Sequence, residues 1–241
     1  MIEIANKTIG EIVAEDYRAA SIFESFGIDF CCKGNRSVED ACSGKNINAD
    51  EVHEKLNKLS VSAEGGIPDF ASWPSDLLVD YIEKKHHRYV TDTTPVLQQF
   101  LEKLCNVHGG RHPELFEINR LFNESAGELA MHMKKEELIV FPYIRNMVKA
   151  NGNHQEFSRA HFGTVENPIK VLMQEHTNEG ERFSEISELS NNYTPPADGC
   201  TTYRVAYQML EEFEKDLHLH IHLENNILFP QAALMEQKIL A

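Results

Sequence analysis

Two segments of this chain restate one another: "HMKKEELIVFP" at residues 132–142 and "HIHLENNILFP" at residues 220–230. Each reads His, three residues, Glu, then an apolar stretch closing on Phe-Pro. A His and a Glu four positions apart lie on one face of an α-helix, one turn from each other. Proline within a helical pattern removes a hydrogen bond and costs about 3 kcal/mol. With 12 histidines in the chain, about one His-x-x-x-Glu match is expected by chance. Two matches sharing a costly Phe-Pro at the same offset point instead to one helix used twice.

The repeat extends beyond these segments. His87 lies 45 residues before His132, and His176 lies 44 residues before His220. The two halves therefore read as helical hairpins, each supplying a His and then a His-x-x-x-Glu pair. Amphipathic periodicity predicts four long helices, over roughly 75–108, 113–149, 165–190 and 202–237. Leu121, Phe122, Leu129 and Met133 mark the apolar stripe of the second, and Leu210, Phe213, Leu217 and Ile221 that of the fourth. Pro95 falls inside the first. No segment alternates for long as a strand would, so the fold class is all-α, with a four-helix bundle.

A smaller unit precedes the bundle. Thr8 is a candidate N-cap for one helical run from Ile9 to Phe26, ended by Gly27. "SVEDACSGKNINADEVHEKLNKL" offers two short helices capped by Ser37 and Asn48, each followed three residues on by an acidic residue. "SVSAEGGIPDFASWP" has the composition of a linker. The expected division is a helical domain over 1–65 and a bundle over 66–241.

Charge limits the partners. The net charge of -15, from 38 acidic and 23 basic residues, repels phosphate, arguing against nucleic acid and anionic membranes. No stretch approaches the ~20 apolar residues of a membrane span, and the N-terminus lacks the basic and apolar regions of a secretory signal. A cytoplasmic protein is expected. The five cysteines, Cys31, Cys32, Cys42, Cys105 and Cys200, are odd in number and scattered, as for reduced thiols.

A single histidine is by default a surface or hydrogen-bonded core residue, and His86, His112, His154, His161, His218 and His222 are read that way. The repeated set is different, because buried Glu and His together are expensive without a cation. His87, His132, Glu136, His176, His220 and Glu224 are thus candidate metal ligands in the bundle core. His108, near the turn in "NVHGGRHPELF", has no clear counterpart in the second half and is a candidate asymmetric seventh ligand. Imidazole and carboxylate suit Fe, Mn or Zn. The lack of a cysteine in the repeat argues against structural zinc. Two carboxylates on different helices could bridge two ions, as in a non-haem di-iron centre.

These residues resemble a known family. The bundle is similar to hemerythrin-like domains, and the whole chain resembles the di-iron proteins that repair iron centres. "GIDFCCKGNRSVEDAC" looks like that family's first domain with its paired cysteines. "HMKKEELIVFP", "LMQEH" and "HIHLENNILFP" look like its ligand segments, and "NNYTPPADGCTTY" like its loop before the last helix. The match is loosest in "YIEKKHHRYVTDTTPVL", where His86 stays an alternative, although Pro95 and the spacing to "VH" favour His87. The resemblance implies iron ligands at His87, His108, His132, Glu136, His176, His220 and Glu224, with Glu136 and Glu224 as bridging carboxylates and an oxo or hydroxo bridge between two irons. It also gives Cys31 and Cys32, expected on an accessible loop between Gly27 and Gly34, a role as iron-relay or redox thiols. Cys105 and Cys200 are left as bystanders.

The function this implies is repair of iron–sulfur clusters damaged by oxidative or nitrosative stress, by donation of iron, in a homodimer. The rivals are reduction of nitric oxide at the di-iron centre, a hemerythrin-like sensor of dioxygen or nitric oxide, and a metal-free scaffold.

Overall fold

A computed structural model describes residues 7–45, 47–59, 68–153 and 157–240. Its regular elements are helices, with one isolated antiparallel bridge between Thr8 and Ser37. The expected division at residue 65 lies outside the described residues, as does His154.

Capping side chains shape the N-terminal unit. Helix α1 (Ile9–Glu15) begins at Thr8, whose hydroxyl accepts from Glu11 N while the Glu11 carboxylate accepts from Thr8 N, a reciprocal capping box. The single helix expected to Phe26 is broken at Asp16, whose backbone is extended (φ -146°). Its carboxylate accepts from the Arg18 backbone amide and from the Arg18 guanidinium. A short acidic side chain that bonds its own neighbours competes with helix continuation, so α2 (Arg18–Ser25) starts afresh. Gly27, at φ +63°, ends it in the left-handed region where glycine is favoured. Ser37 Oγ accepts from Asp40 N to cap α3 (Val38–Ser43), and Asn48 Oδ1 accepts from Asp50 N before α4 (Ala49–Leu59).

Four long helical rods follow. The first comprises α5 (Ser75–Tyr81), a π-helical segment (Ile82–His87) and α6 (Arg88–His108). The second comprises α7 (Glu114–Lys135), a π segment (Glu136–Val140) and α8 (Phe141–Asn153). The third is α9 (Glu166–Leu189). The fourth comprises α10 (Thr201–Leu223), a π segment (Glu224–Leu228) and α11 (Phe229–Leu240). They pack as a bundle, α6 on α7 and α10, α9 on α7 and α10, and α8 on α5 and α11.

The Phe-Pro repeat has a direct structural consequence. Pro142 and Pro230 have no N–H to give the carbonyl four residues back, and their rings crowd it. Each rod widens into a π turn immediately before Phe-Pro, and each π turn begins at the Glu of the repeat. Such insertions cluster at functional sites because they re-aim side chains out of helical register.

Buried apolar residues form two clusters. One joins the N-terminal unit (Ile9, Phe23, Phe30, Val52, Leu56) to bundle residues such as Leu129, Met133, Leu217 and Ile221. The other holds Val79, Ile82, Phe141, Ile144, Ile227 and Phe229. Along α7 and α10 the repeated His and Glu fall between these two sets. A polar layer therefore divides the hydrophobic interior.

Phe213 anchors the first cluster. It is fully buried, with ring centroids 5.4 Å from Phe122 and 5.6 Å from Phe183. Phe213→Ala is expected to lower the unfolding free energy by about 3–5 kcal/mol, read from the urea midpoint at unchanged slope.

Candidate metal centre

The polar layer contains His87, His132, Glu136, His176, His220 and Glu224, all at most 3% exposed. Their ligand atoms form two groups, His87–Glu136–His220–Glu224 and His132–Glu136–His176–Glu224, each with its atoms within 4.8 Å of one another. Both carboxylates belong to both groups. Glu136 Oε2 lies 3.3 Å from His87 Nε2 and its Oε1 lies 3.3 Å from His132 Nε2. Glu224 Oε2 lies 3.2 Å from His176 Nε2 and its Oε1 lies 3.2 Å from His220 Nε2. Each carboxylate thus offers one oxygen to each group.

The donor set suits metal ions. Both Glu136 oxygens and Glu224 Oε2 are buried and, among the described residues, lack a hydrogen-bond partner. His132 Nε2 and His176 Nε2 stand 3.0 Å apart. With bonds of about 2.1 Å to nitrogen, neighbouring ligands of one ion are separated by about 3 Å. Burial alone would raise both carboxylate pKa values and so discharge them. The surrounding imidazoles overcome this and hold both low. Burial likewise pulls His132 down, but Glu136 and Glu224 outweigh it and lift its pKa to about 9. In the absence of metal, protons supply the positive charge these anions require.

The opposite nitrogens are tied back. His87 Nδ1 lies 3.1 Å from Glu137 Oε1, His132 Nδ1 lies 2.8 Å from Glu175 Oε2, and His176 Nδ1 lies 2.8 Å from Asn225 Oδ1. Such partners fix ring orientation and tautomer. His220 Nδ1 has no hydrogen-bond partner among the described residues, and the ring of His86 stacks on it at 5.5 Å. His86 itself bonds Asp216 through Nδ1 at 2.9 Å and takes no part in either group.

Glu137, Glu175 and Asn225 escaped the sequence reading. A signal existed, because Glu137 and Asn225 each directly follow the shared Glu of their repeat, and Glu175 directly precedes His176. Only the fold shows that those positions face imidazoles.

His108 lies apart from this layer. It is buried, but it ends α6, and at 1.5 Å per residue the 21 residues from His87 place it roughly 30 Å along the rod. Its Nε2 is 3.3 Å from Cys200 Sγ and its ring packs edge-on against Tyr203. A continuous helix of this length cannot return its end to the layer at its start, so the structure does not bring His108 to the other ligand candidates. Cys200, read as a bystander, is exposed at the N-cap position of α10, where the amides of Tyr203 and Thr202 lower its pKa.

The paired cysteines are less open than expected. Cys31 is 3% exposed and Cys32 half-buried, with sulfurs 3.7 Å apart, hydrogen-bonded and without a disulfide. Asp29 Oδ1 accepts from both Cys31 N (3.1 Å) and Cys32 N (2.9 Å). The neighbouring Cys32 and burial push the Cys31 pKa well up, keeping a thiol. Cys32 Sγ donates to the carbonyl of His176 at 3.2 Å. The loop rests against the ligand layer because Gly10 and Gly34 allow α1 to approach it, Gly10 N donating to Gly34 O at 2.7 Å.

These placements separate two variants. Glu136→Leu is expected to lower the metal bound per chain, because it removes a candidate ligand from both groups. His108→Ala is expected to leave the bound metal unchanged. Metal per chain by inductively coupled plasma mass spectrometry checks both, and loss of an ion from His108→Ala would restore that residue to the ligand set.

No helix among the described residues is long and apolar enough to cross a membrane. Comparison with known proteins adds identity to the geometry. Residues 79–232 match the model of the hemerythrin HHE cation-binding domain, and residues 5–60 match the ScdA N-terminal domain, a domain of unknown function. The iron-sulfur cluster repair protein ScdA of Staphylococcus haemolyticus is 31% identical over 94% of this chain and 98% of its own length. A probable iron-sulfur cluster repair protein of Haemophilus influenzae is 34% identical, covering 95% and 98%. The repair protein YtfE of an Escherichia coli strain is 32% identical, covering 94% and 96%. The bundle with its two shared carboxylates, the domain that carries the paired cysteines and the near full-length likeness converge: the chain belongs to the ScdA/YtfE family of iron–sulfur cluster repair proteins.

Proposed function

We propose that the polar layer holds two iron ions and that the protein restores iron–sulfur clusters damaged by oxidative or nitrosative stress by supplying iron. The observation that carries this reading is the sharing of Glu136 and Glu224 between both ligand groups. Carboxylates that each face two sets of imidazoles suit a pair of like ions side by side, and imidazole with carboxylate suits non-haem iron. His87 and His220 would hold one ion, His132 and His176 the other.

The chemistry of the donor set favours delivery. Imidazole and carboxylate are weaker partners for iron than a cage of thiolates, so iron held by them can pass to a recipient whose cysteines bind it more firmly. The repair names of the relatives point to damaged iron–sulfur proteins as recipients. Cys31 and Cys32 would take part in that transfer as relay thiols, a reading supported by the contact of Cys32 Sγ with the His176 carbonyl. A reducing cytoplasm fits five free cysteines. The working unit we propose is a homodimer, with nitric oxide or dioxygen as small ligands of the irons.

The test uses the full chain loaded anaerobically with ferrous iron and an apo iron–sulfur protein supplied with sulfide. Return of the recipient's cluster absorbance is expected with the loaded protein, at a rate well above that with an equal amount of free iron and chelator. The metal-free protein and Glu136→Leu should give no return. Equal rates for loaded and metal-free protein would end the iron-donation reading.

A further inference from the structure

The two halves of the bundle repeat their ligands but differ at one adjacent position. Glu137 follows the shared carboxylate of the first half, and Asn225 that of the second. Both face the Nδ1 atom of a ligand histidine, Glu137 that of His87 and Asn225 that of His176. A carboxylate only accepts hydrogen bonds. An amide accepts through oxygen and donates through nitrogen. Glu137 spends its second oxygen on the exposed Lys134 at 2.6 Å. Asn225 spends its donor on the backbone carbonyl of Cys31, at 3.2 Å.

That contact fixes more than position. The Cys31 carbonyl can only accept, so the Asn225 NH₂ must face it, which turns Oδ1 to His176. The His176 Nδ1 must then carry the proton, leaving the Nε2 lone pair directed at Glu224 and His132. The cysteine loop thus selects the tautomer of one ligand through a single amide. The same loop is bound twice more. Cys32 Sγ donates to the His176 carbonyl at 3.2 Å, and Asn226 Nδ2 donates to the Phe30 carbonyl at 3.3 Å. Consecutive asparagines on the π turn grip consecutive carbonyls of the loop. His87, at the corresponding place in the other half, has no such connection through Glu137.

We propose that Asn225 is a positioning residue that couples the paired-cysteine loop to one of the two metal positions, the one held by His132 and His176. Displacing the loop frees the amide to turn, removes the preference for the ligating tautomer, and loosens that ion and not its neighbour. By reciprocity, an ion at that position holds the loop down. Iron therefore leaves the centre in two steps, the first gated by the cysteines. This inference rests on the two-iron reading above.

The experiment compares the full-length protein, loaded with ferrous iron or stripped of it, under anaerobic iodoacetamide, with Cys32 alkylation followed by peptide mass. In the unsubstituted protein, loading should slow alkylation roughly tenfold, within the 5–150-fold range of ordinary coupling. After alkylation, a ferrous chelator should withdraw one iron fast and one slowly. Asn225→Asp keeps an acceptor for His176 but sets an oxygen against the Cys31 carbonyl. Its alkylation rate should become independent of iron, within twofold, and its first iron should leave fast without alkylation. Gly10→Ala disturbs the loop by another route, because the added methyl would run into Asn226, which holds the Phe30 carbonyl, and would press on the Gly34 carbonyl of the loop itself. It should reproduce the effect with both asparagines intact, so an Asn225→Asp protein that failed to fold would not shield the proposal. Iron-dependent protection persisting in either folded variant, or release of both irons in one phase from alkylated protein, would overturn it. An unsubstituted protein that never binds a second iron would instead sink the two-iron reading.

Discussion

Two carboxylates buried in the middle of a hydrophobic bundle set the terms for the rest of the structure. Each costs several kcal/mol to desolvate, and together they repel. Four imidazoles surround them, and three of those are anchored by Glu137, Glu175 and Asn225. The apolar interior is split into clusters above and below this layer. A fold optimised for stability alone would place leucine at these positions. Here the interior gives up apolar continuity to keep a shared anionic pair, a donor set compatible with a metal centre.

The π turns are how the backbone serves that layer. An unbroken α-helix would carry the Glu of each repeat and the Phe-Pro after it in strict 3.6-residue register. Proline frustrates the register, the helix widens by a residue, and the widening begins at Glu136 and Glu224. The first rod has a similar turn over Ile82–His87, ending at its ligand, without a proline in it. Three of the four rods are thus irregular where they meet the centre and regular elsewhere.

The N-terminal unit shares a hydrophobic cluster with the bundle, so its cysteine loop is built into the same core that supports the ligands. Cys31 is buried for this reason, and its thiol stays protonated. The asymmetry that results is confined to one half of a duplicated bundle. Of two equivalent positions beside the shared carboxylates, only the amide reaches the cysteines. The two halves present similar ligand groups, and the difference between Glu137 and Asn225 is one place where they part.

The sequence alone determined the architecture and six of the ligand candidates. A duplicated His-x-x-x-Glu with a costly proline at constant offset is a pattern that composition does not produce, and helical periodicity reports burial of a face reliably. Thr8, Ser37 and Asn48 were readable as caps because capping is local. Tertiary structure alone decided the rest. His108 matched the ligand chemistry but sits a helix length from the layer, and distance along a rod becomes decisive only once the rod is known to be one continuous helix. The break at Asp16 came from a side chain competing with its own backbone. Asn225, Glu137 and Glu175 are ordinary polar residues in sequence. What they bond depends on which helix lies opposite, a relation between segments far apart in the chain that no local pattern encodes.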